Sequence, residues 1–221
     1  MSDQLRLGLD RVLLLGRQGA GKSLVGRLLA RRLAADFFSM GELLRAVAGS
    51  NAELADTIGL LIDAGAGVPP ELSYRLLGER LADREHDRGL ILDGVPRMAN
   101  ELSRVRQLLA GEPTAVVVLE VPTPMAVDRL LTRSVCEGCG WPHGPGWPPR
   151  GSKCSQCGAP VSARADDTVE GIELRHEVWG REARDIVRHY DDLGLVHPIR
   201  ADGPPRDVVQ AVFDALAEGA R

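Results

Sequence analysis

Residues 16–23 read Gly16-Arg17-Gln18-Gly19-Ala20-Gly21-Lys22-Ser23, directly after the apolar run Arg11–Leu15 and before a segment of helical apolar periodicity. Glycines at this spacing, followed by lysine and a hydroxyl residue, allow backbone N–H groups to surround a polyphosphate. The N-terminus of the following helix adds partial positive charge. A glycine-rich turn with an incidental lysine is the alternative, which the surrounding strand and helix disfavour. The stretch predicts a phosphate-binding loop.

Two side chains of this loop and one strand-end carboxylate are candidate functional groups. The compact ammonium of Lys22 can reach terminal phosphates, and the Ser23 hydroxyl can ligate Mg²⁺. Asp93 ends a later apolar run, where a phosphate-loop enzyme places the acid that organises Mg²⁺, usually through water. Its alternative role is to open the turn before Gly94 and Pro96. The sequence therefore predicts magnesium bound through water at Ser23 and Asp93.

Apolar runs of strand length alternate with helix-period segments along the 221 residues. The runs at 89–93 and 114–121 lack polar alternation, which is typical of strands buried on both faces of a parallel sheet. Strands that alternate with helices indicate a doubly wound α/β sheet. We predict a P-loop NTPase-type three-layer α/β/α fold whose central parallel sheet has about five strands, at 11–15, 35–39, 89–93, 114–121 and 195–200.

The composition excludes several classes of protein. The chain is 44% hydrophobic and 26% charged, with a formal net charge of −4. A mildly acidic total gives no electrostatic footprint for non-specific nucleic-acid binding. No apolar run approaches the about eighteen residues of a membrane-spanning helix, and the N-terminus lacks the pattern of a secretory signal. We expect a cytoplasmic monomer without nucleic-acid or membrane partners.

An inserted segment, 136–161, breaks the α/β pattern. It is rich in Gly, Pro, Cys and Trp, and it contains all four cysteines, as the pairs Cys136/Cys139 and Cys154/Cys157. Four thiolates around Zn²⁺ would fold a segment that has no core of its own, and such a zinc site is structural. Disulfide pairing is the alternative, disfavoured in a reducing cytoplasm. His143 could replace one cysteine, but four thiolates leave it spare.

The phosphate loop, the strand-end acid and the cysteine insert together resemble the nucleoside monophosphate kinases, specifically the zinc-lid subgroup of adenylate kinases. The resemblance extends from about Arg11 to Leu216. It implies the reaction ATP + AMP = 2 ADP, with Mg²⁺-assisted in-line transfer under a closing lid. It also implies a core domain at 1–132 and 166–221, which includes an NMP-binding helical insert at 39–69, and a zinc-binding lid at 133–165.

Five further motifs carry the resemblance. Residues 39–45 (SMGELLR) resemble the family's S-T-G-D-L-L-R segment, and 64–69 (AGAGVP) are similar to its A-G-x-L-V-P turn. Residues 92–97 (LDGVPR) resemble L-D-G-F-P-R. Residues 128–133 (DRLLTR) are similar to the helix that enters the lid, and 164–167 (RADD) match the R-x-D-D lid exit.

The resemblance implies roles for the residues at these positions. ATP would be bound by Gly19, Ala20, Gly21, Lys22, Ser23, Leu24, Arg129, Arg133, Pro142, His143 and Pro205. The acceptor monophosphate would be bound by Met40, Arg45, Ala66, Gly67, Val68, Gly94, Arg97, Glu101, Arg164 and Arg175. Converging guanidiniums would hold two phosphates in line and neutralise charge, so the candidate catalytic residues are Lys22, Arg97, Arg133, Arg164 and Arg175. Asp166 and Asp167 would anchor lid arginines, or else form a solvated acidic loop.

Several positions depart from the family pattern. Gln18 replaces a proline of the loop, and Ser23 with Leu24 replaces Gly-Thr. Met40 stands where a hydroxyl residue contacts the acceptor. Glu101 stands where adenylate kinases keep Gln; a carboxylate offers acceptors and no donor, which suits guanine better than adenine. Alternatively, a one-residue shift brings Asn100 to the base, or Glu101 faces water.

These departures leave three alternatives open. The first is a kinase with another acceptor, such as GMP. The second is a catalytically weak nucleotide-binding protein, suggested by Met40 and Glu101 together. The third is a nucleic-acid-binding zinc knuckle that uses Trp141, Trp147 and Arg150, against which the net acidity counts.

Overall fold

The strands form two sheets in the residues that the computed structural model describes, which are 10–50, 52–63, 68–84, 88–143, 151–164 and 166–219. In chain order the strands are β1 (Arg11–Leu15), β2 (Asp36–Ser39), β3 (Leu90–Asp93), β4 (Ala115–Glu120), β5 (Ser134–Cys136), β6 (Pro142–His143), β7 (Val161–Ser162) and β8 (Val196–Arg200). The larger sheet has the order β2-β3-β1-β4-β8, and its strands are parallel throughout. The predicted central parallel sheet of about five strands is confirmed.

The helices cover both faces of this sheet. They are α1 (Lys22–Leu33), α2 (Met40–Ser50), α3 (Ala52–Asp63), α4 (Pro70–Ala82), α5 (Leu102–Leu108), α6 (Thr123–Leu131), α7 (Val169–Asp191) and α8 (Pro205–Gly219). Alternate residues of β1 enter opposite layers: Val12 and Leu14 pack in the cluster of α1 and α8, whereas Leu13 and Leu15 pack in the cluster of α4, α5 and α7. The period of two along a strand therefore produces the predicted three-layer α/β/α fold.

Two glycines of the phosphate loop are required by close backbone approach. Gly16 has a φ of 139°, and a Cβ on it would lie 2.5 Å from the carbonyl oxygen of Leu119. Gly19 has a φ of 86°, and a Cβ on it would collide with the carbonyl oxygen of Ala126. Since L side chains rarely adopt such φ values, these glycines allow the loop to turn between β1 and α1.

The cysteine-containing segment forms the smaller sheet, which is antiparallel with the order β6-β5-β7. Its apolar side chains are packed in a small core, whereas the sequence predicted a segment without one. Trp141 and Val161 are buried with two of the cysteines, and Leu24 and Leu28 of α1 pack against this cluster. The core of this segment is therefore completed by apolar side chains of α1, which lies more than a hundred residues earlier in the chain.

The part of the chain that the structure describes contains no helix long and apolar enough to cross a membrane.

Candidate active site

A cavity of about 800 Å³ lies beside the phosphate loop, and side chains from both ends of the chain line it. It brings together the predicted binding and catalytic residues that the structure describes: Gly19, Ala20, Gly21, Lys22, Ser23, Leu24, Met40, Arg45, Val68, Asp93, Gly94, Arg97, Glu101, Arg129, Arg133, Pro142, His143, Arg164, Arg175 and Pro205. Ala66 and Gly67, also predicted for the acceptor, lie outside the described residues. The individual roles of all these residues stay predictions.

Lys22 begins helix α1 and folds back over the loop that precedes it. Its Nζ donates hydrogen bonds to the carbonyl oxygens of Gly16 at 2.7 Å and Arg17 at 3.0 Å. Burial lowers the pKa of Lys22, while the charge of Asp93 opposes this shift. The ammonium is therefore held against the phosphate loop, where it can meet a phosphate.

Ser23, in the first turn of α1, lies in contact with Asp93, at the end of the neighbouring strand β3. Asp93 lies at the carboxyl end of β3 and is buried, and its Oδ2 accepts a 2.7 Å hydrogen bond from the Ser23 hydroxyl. A carboxylate and a hydroxyl are hard oxygen donors of the kind that Mg²⁺ selects. The pair therefore fits magnesium chemistry, directly or through water.

Three arginines of the cavity are held by two adjacent carboxylates. Arg133 makes a bidentate contact with Asp167, at 2.8 and 2.6 Å. Arg164 makes a bidentate contact with Asp166. Arg175 donates to the Asp166 carbonyl at 2.7 Å and to Asp167 Oδ1 at 3.3 Å. The alternative of a solvated acidic loop is wrong, because Asp166 and Asp167 hold arginine side chains in place.

Arg45 approaches this cluster from helix α2. Burial and then the like charge of Arg164 lower the pKa of Arg45 to about 10, so its guanidinium remains charged at neutral pH. Guanidiniums brought this close repel one another, and a polyphosphate would relieve that repulsion. The electrostatics of the cavity therefore favour a highly charged anion.

The two ends of the cavity differ in chemistry. At one end Arg129 donates to the carbonyl oxygen of Ala201 at 2.8 Å, beside Pro142, His143 and Pro205. Burial lowers the pKa of His143, so the ring is neutral near pH 7. Pro142, the neutral ring of His143 and Pro205 give this part of the cavity a weakly polar lining.

At the other end lies Glu101, next to Met40 and Val68. Glu101 is only 4% exposed, and its Oε2 accepts hydrogen bonds from the Arg97 backbone N–H at 2.7 Å and the Tyr74 hydroxyl at 3.1 Å. Asn100 is exposed. Both alternatives for this position, a shift to Asn100 and a water-facing Glu101, are wrong.

The sequence reasoning missed Tyr74, Trp179 and His176. Tyr74 supports Glu101 from helix α4, and Trp179 lines the cavity from helix α7. His176 Nε2 lies 2.9 Å from the Gln18 carbonyl oxygen. In the sequence each of these residues is part of a helical pattern, and no local signal marks it.

The four cysteines meet in space. Their Sγ atoms all lie within 4.8 Å of one another, and no pair is disulfide-bonded, so the disulfide alternative is wrong. A tetrahedral zinc ion with Zn–S bonds of about 2.3 Å places its sulfurs about 3.8 Å apart. The Cys136–Cys157 and Cys139–Cys154 pairs, at 3.4 and 3.8 Å, are close to that spacing. The cluster is compatible with zinc.

Comparison with known proteins places the chain in a family. The sequence model of the adenylate kinase family matches residues 14–195. The adenylate kinase of Desulfitobacterium hafniense strain DCB-2 is 30% identical over 214 residues, which cover 95% of this chain and 99% of that protein. Those of Streptomyces avermitilis and Moorella thermoacetica are each 32% identical, over 93% of this chain and 96% and 97% of their own lengths. The chain therefore belongs to the adenylate kinase family, and the protein is a nucleoside monophosphate kinase.

Proposed function

We propose that the enzyme transfers the γ-phosphoryl group of ATP directly to a nucleoside monophosphate. Membership of the adenylate kinase family supports AMP as the acceptor, in the reaction ATP + AMP = 2 ADP. The observation that carries the proposal is a cavity lined together by the phosphate loop, the arginines Arg45, Arg133, Arg164 and Arg175, and Glu101. A phosphate oxygen of the acceptor would attack the γ-phosphorus as the bond to the β-phosphate oxygen breaks. This exchange needs no added co-reactant.

The arginines would supply most of the catalysis. In phosphoryl transfer the protein aligns the two nucleotides and neutralises the charge of their phosphates, and it contributes little covalent chemistry. Arg133, Arg164 and Arg175 are already ordered by Asp166 and Asp167. Because these guanidiniums are oriented before substrate arrives, little reorganisation is needed in the transition state.

Magnesium would be held, through water, by Ser23 and Asp93, whose hydroxyl and carboxylate oxygens already lie in contact. When bound, it would neutralise charge on the phosphate oxygens. The residues themselves orient the site: Asp93 accepts a hydrogen bond from Ser23, and Lys22 would contact the terminal phosphates from the loop.

A specific observation favours GMP as a second candidate acceptor. Glu101 is buried at the acceptor end of the cavity, and a carboxylate accepts hydrogen bonds but donates none. The nucleic-acid alternative has less support, because Trp141 is only 5% exposed and its ring is packed against helix α1. Trp147 and Arg150 lie outside the described residues.

One assay tests this proposal. Purified protein with ATP and Mg²⁺ is incubated with AMP, GMP, CMP, UMP or a deoxynucleoside monophosphate, and the nucleoside diphosphates are quantified. We expect ADP to form with at least one purine acceptor, with turnover that needs both nucleotides. No transfer to any of these acceptors would contradict the proposed function and would favour a weak nucleotide-binding protein. We further propose that the enzyme acts as a cytoplasmic monomer without nucleic-acid partners, which sedimentation of the pure protein and filter binding would test.

The contact between His176 and the phosphate loop leads to a separate prediction. Burial is the largest cause that lowers the pKa of His176, so the ring is neutral near pH 7, and its Nε2–H must donate to the Gln18 carbonyl. This bond fixes the position of the Gln18 carbonyl within the phosphate loop. We expect His176→Leu to raise KM for ATP by about 3–10-fold, the value of one hydrogen bond, with a smaller change in kcat. His176→Gln keeps a donor and is expected to retain most of the affinity. An unchanged KM in His176→Leu would disprove the positioning role.

A further inference from the structure

Glu101 lines the cavity with a carboxylate that two hydrogen bonds hold in place. Glu101 lies at the end of the short 3₁₀ turn Ala99–Glu101, so its side chain points back toward the loop after β3. Its Oε2 accepts from the Arg97 backbone N–H and the Tyr74 hydroxyl. An oxygen has two lone pairs in the carboxylate plane, and these two donors occupy both of them.

Tyr74 can act only as a donor in this contact. Its hydroxyl is buried, and burial followed by the charge of Glu101 raises the pKa of Tyr74 far above its usual value. The phenol therefore stays protonated and points its hydrogen at Glu101. Because both neighbours donate to the same oxygen, the acceptor positions of Oε2 are occupied by hydrogen bonds within the protein.

The other oxygen, Oε1, is the one left for a ligand. Among the described residues no Lys, Arg or His forms an ion pair with Glu101, and no other hydrogen bond to its carboxylate is formed. Glu101 lines the cavity. The acceptor end thus presents one unpaired acceptor oxygen and no hydrogen to donate from this side chain.

Purine bases differ at the edge that such an oxygen would meet. Adenine offers a carboxylate oxygen only its N6 amine, and the neighbouring N1 is an acceptor nitrogen that the carboxylate repels. Guanine and hypoxanthine, the 6-oxopurines, have an N1–H donor there, and guanine adds the N2 amine. We propose that Glu101, held by Tyr74, makes 6-oxopurine monophosphates better phosphoryl acceptors than AMP. This inference rests on the proposed phosphoryl transfer to a nucleoside monophosphate.

The same geometry predicts what a single-atom change would do. In Glu101→Gln the Arg97 N–H and the Tyr74 hydroxyl would still claim the side-chain oxygen, because an amide NH₂ cannot accept from them. The NH₂ group would then occupy the place of Oε1. A donor would replace an acceptor at the base edge, and the preference would turn from N1–H bases toward adenine.

The test is a comparison of kcat/KM for GMP, IMP and AMP at saturating Mg·ATP. We expect GMP and IMP to exceed AMP by about 10–100-fold, the range for one buried polar group left without its hydrogen bond, and GMP to equal or exceed IMP. IMP isolates the N1–H contribution, because it lacks the N2 amine. Glu101→Gln is expected to lower GMP and IMP and raise AMP by about 10-fold each. Tyr74→Phe is expected to reduce the discrimination, because the carboxylate is then free to turn.

Asn100→Ala, at an exposed neighbouring position, is the matched control and should leave all three ratios unchanged. Equilibrium binding of GMP and AMP without ATP, measured by calorimetry, keeps the test valid if a variant turns over slowly. AMP as the best acceptor, or a Glu101→Gln variant with unaltered ratios in both measurements, would overturn the inference while leaving the kinase function intact. Absence of transfer to all three nucleotides would instead overturn the proposed phosphoryl transfer itself.

Discussion

Lys22→Ala is expected to abolish phosphoryl transfer, lowering kcat by about 10³-fold, the upper range for loss of one transition-state charge contact. The ammonium is the single point cation on the phosphate loop, and its Nζ also ties together the carbonyl oxygens of Gly16 and Arg17. Its removal loses both the positive charge that meets the terminal phosphates and the restraint on the loop. The measurement is the steady-state rate of nucleoside diphosphate formation with the best acceptor.

The chain supplies an unusually clean control, because it has only two lysines. Lys153 is exposed and forms a backbone bridge with Pro160. We therefore expect Lys153→Ala to keep full activity. Lys22→Arg should also lose activity, because the planar guanidinium does not fit in the place of a compact ammonium. If Lys22→Ala kept more than a tenth of the wild-type kcat, with its thermal unfolding unchanged, the role of this lysine would be refuted.

Removal of the metal from the cysteine cluster is the second large effect that we expect. The wild-type protein should carry about one zinc ion per chain, and Cys136→Ser/Cys154→Ser, at the two buried cysteines, should carry none. Structural zinc contributes about 10–16 kcal/mol in small zinc domains, far more than the few apolar contacts of this segment can replace. The sheet of β5, β6 and β7 should therefore lose its order while the central sheet remains folded.

Activity should fall with the metal, by about 10²-fold, because misplaced binding groups cost about that much. Arg133, His143 and Arg164 flank or belong to this sheet and would lose their positions. The measurements are zinc content by elemental analysis, tryptophan emission and kcat. Ser155→Ala, at an exposed position between the last two cysteines, is the control. A zinc-free double variant with wild-type emission and rate would contradict a structural role for the metal.

The packing of Trp141 makes the emission measurement informative. Its ring lies against the Arg31 guanidinium, 4.5 Å from the ring centroid, and beside Leu24 and Leu28. Loss of the metal should release the indole to water and shift its emission to longer wavelength. The same packing leaves the Trp141 ring only 5% exposed, so it presents little surface on which a nucleic-acid base could stack.

Much of the fold followed from local pattern. The residues 16–23 predicted the turn between β1 and α1, because glycine spacing and a following helix are properties of contiguous residues. The sheet followed as well, since unbroken apolar runs such as 115–119 are buried on both faces. Helix ends were less predictable: Glu101 ends a 3₁₀ turn directly before α5, and no local signal in the sequence marks this boundary. At this position its side chain reaches the Arg97 backbone N–H and the Tyr74 hydroxyl.

Contacts between distant residues could not be predicted in the same way. Tyr74 and Glu101 are 27 positions apart, and His176 and Gln18 are 158 apart. In each case one member belongs to an ordinary helical pattern, so nothing local distinguishes it from a core or surface residue. The identity of Glu101 raised the question of the base, but only its partners show which oxygen is left for a ligand.

The sequence by itself determined the phosphate loop, the parallel α/β architecture and the pairing of the cysteines in one segment, because short-range spacing and apolar periodicity encode them. Its motifs also carried the resemblance to the adenylate kinase family. The tertiary structure decided how Asp166 and Asp167 hold the arginines, how the cysteine sheet borrows apolar surface from α1, and how Tyr74 orients Glu101. These are side-chain contacts between elements that are far apart in the chain. Packing of the whole fold brings such groups within hydrogen-bond distance, and a one-dimensional pattern does not contain that distance.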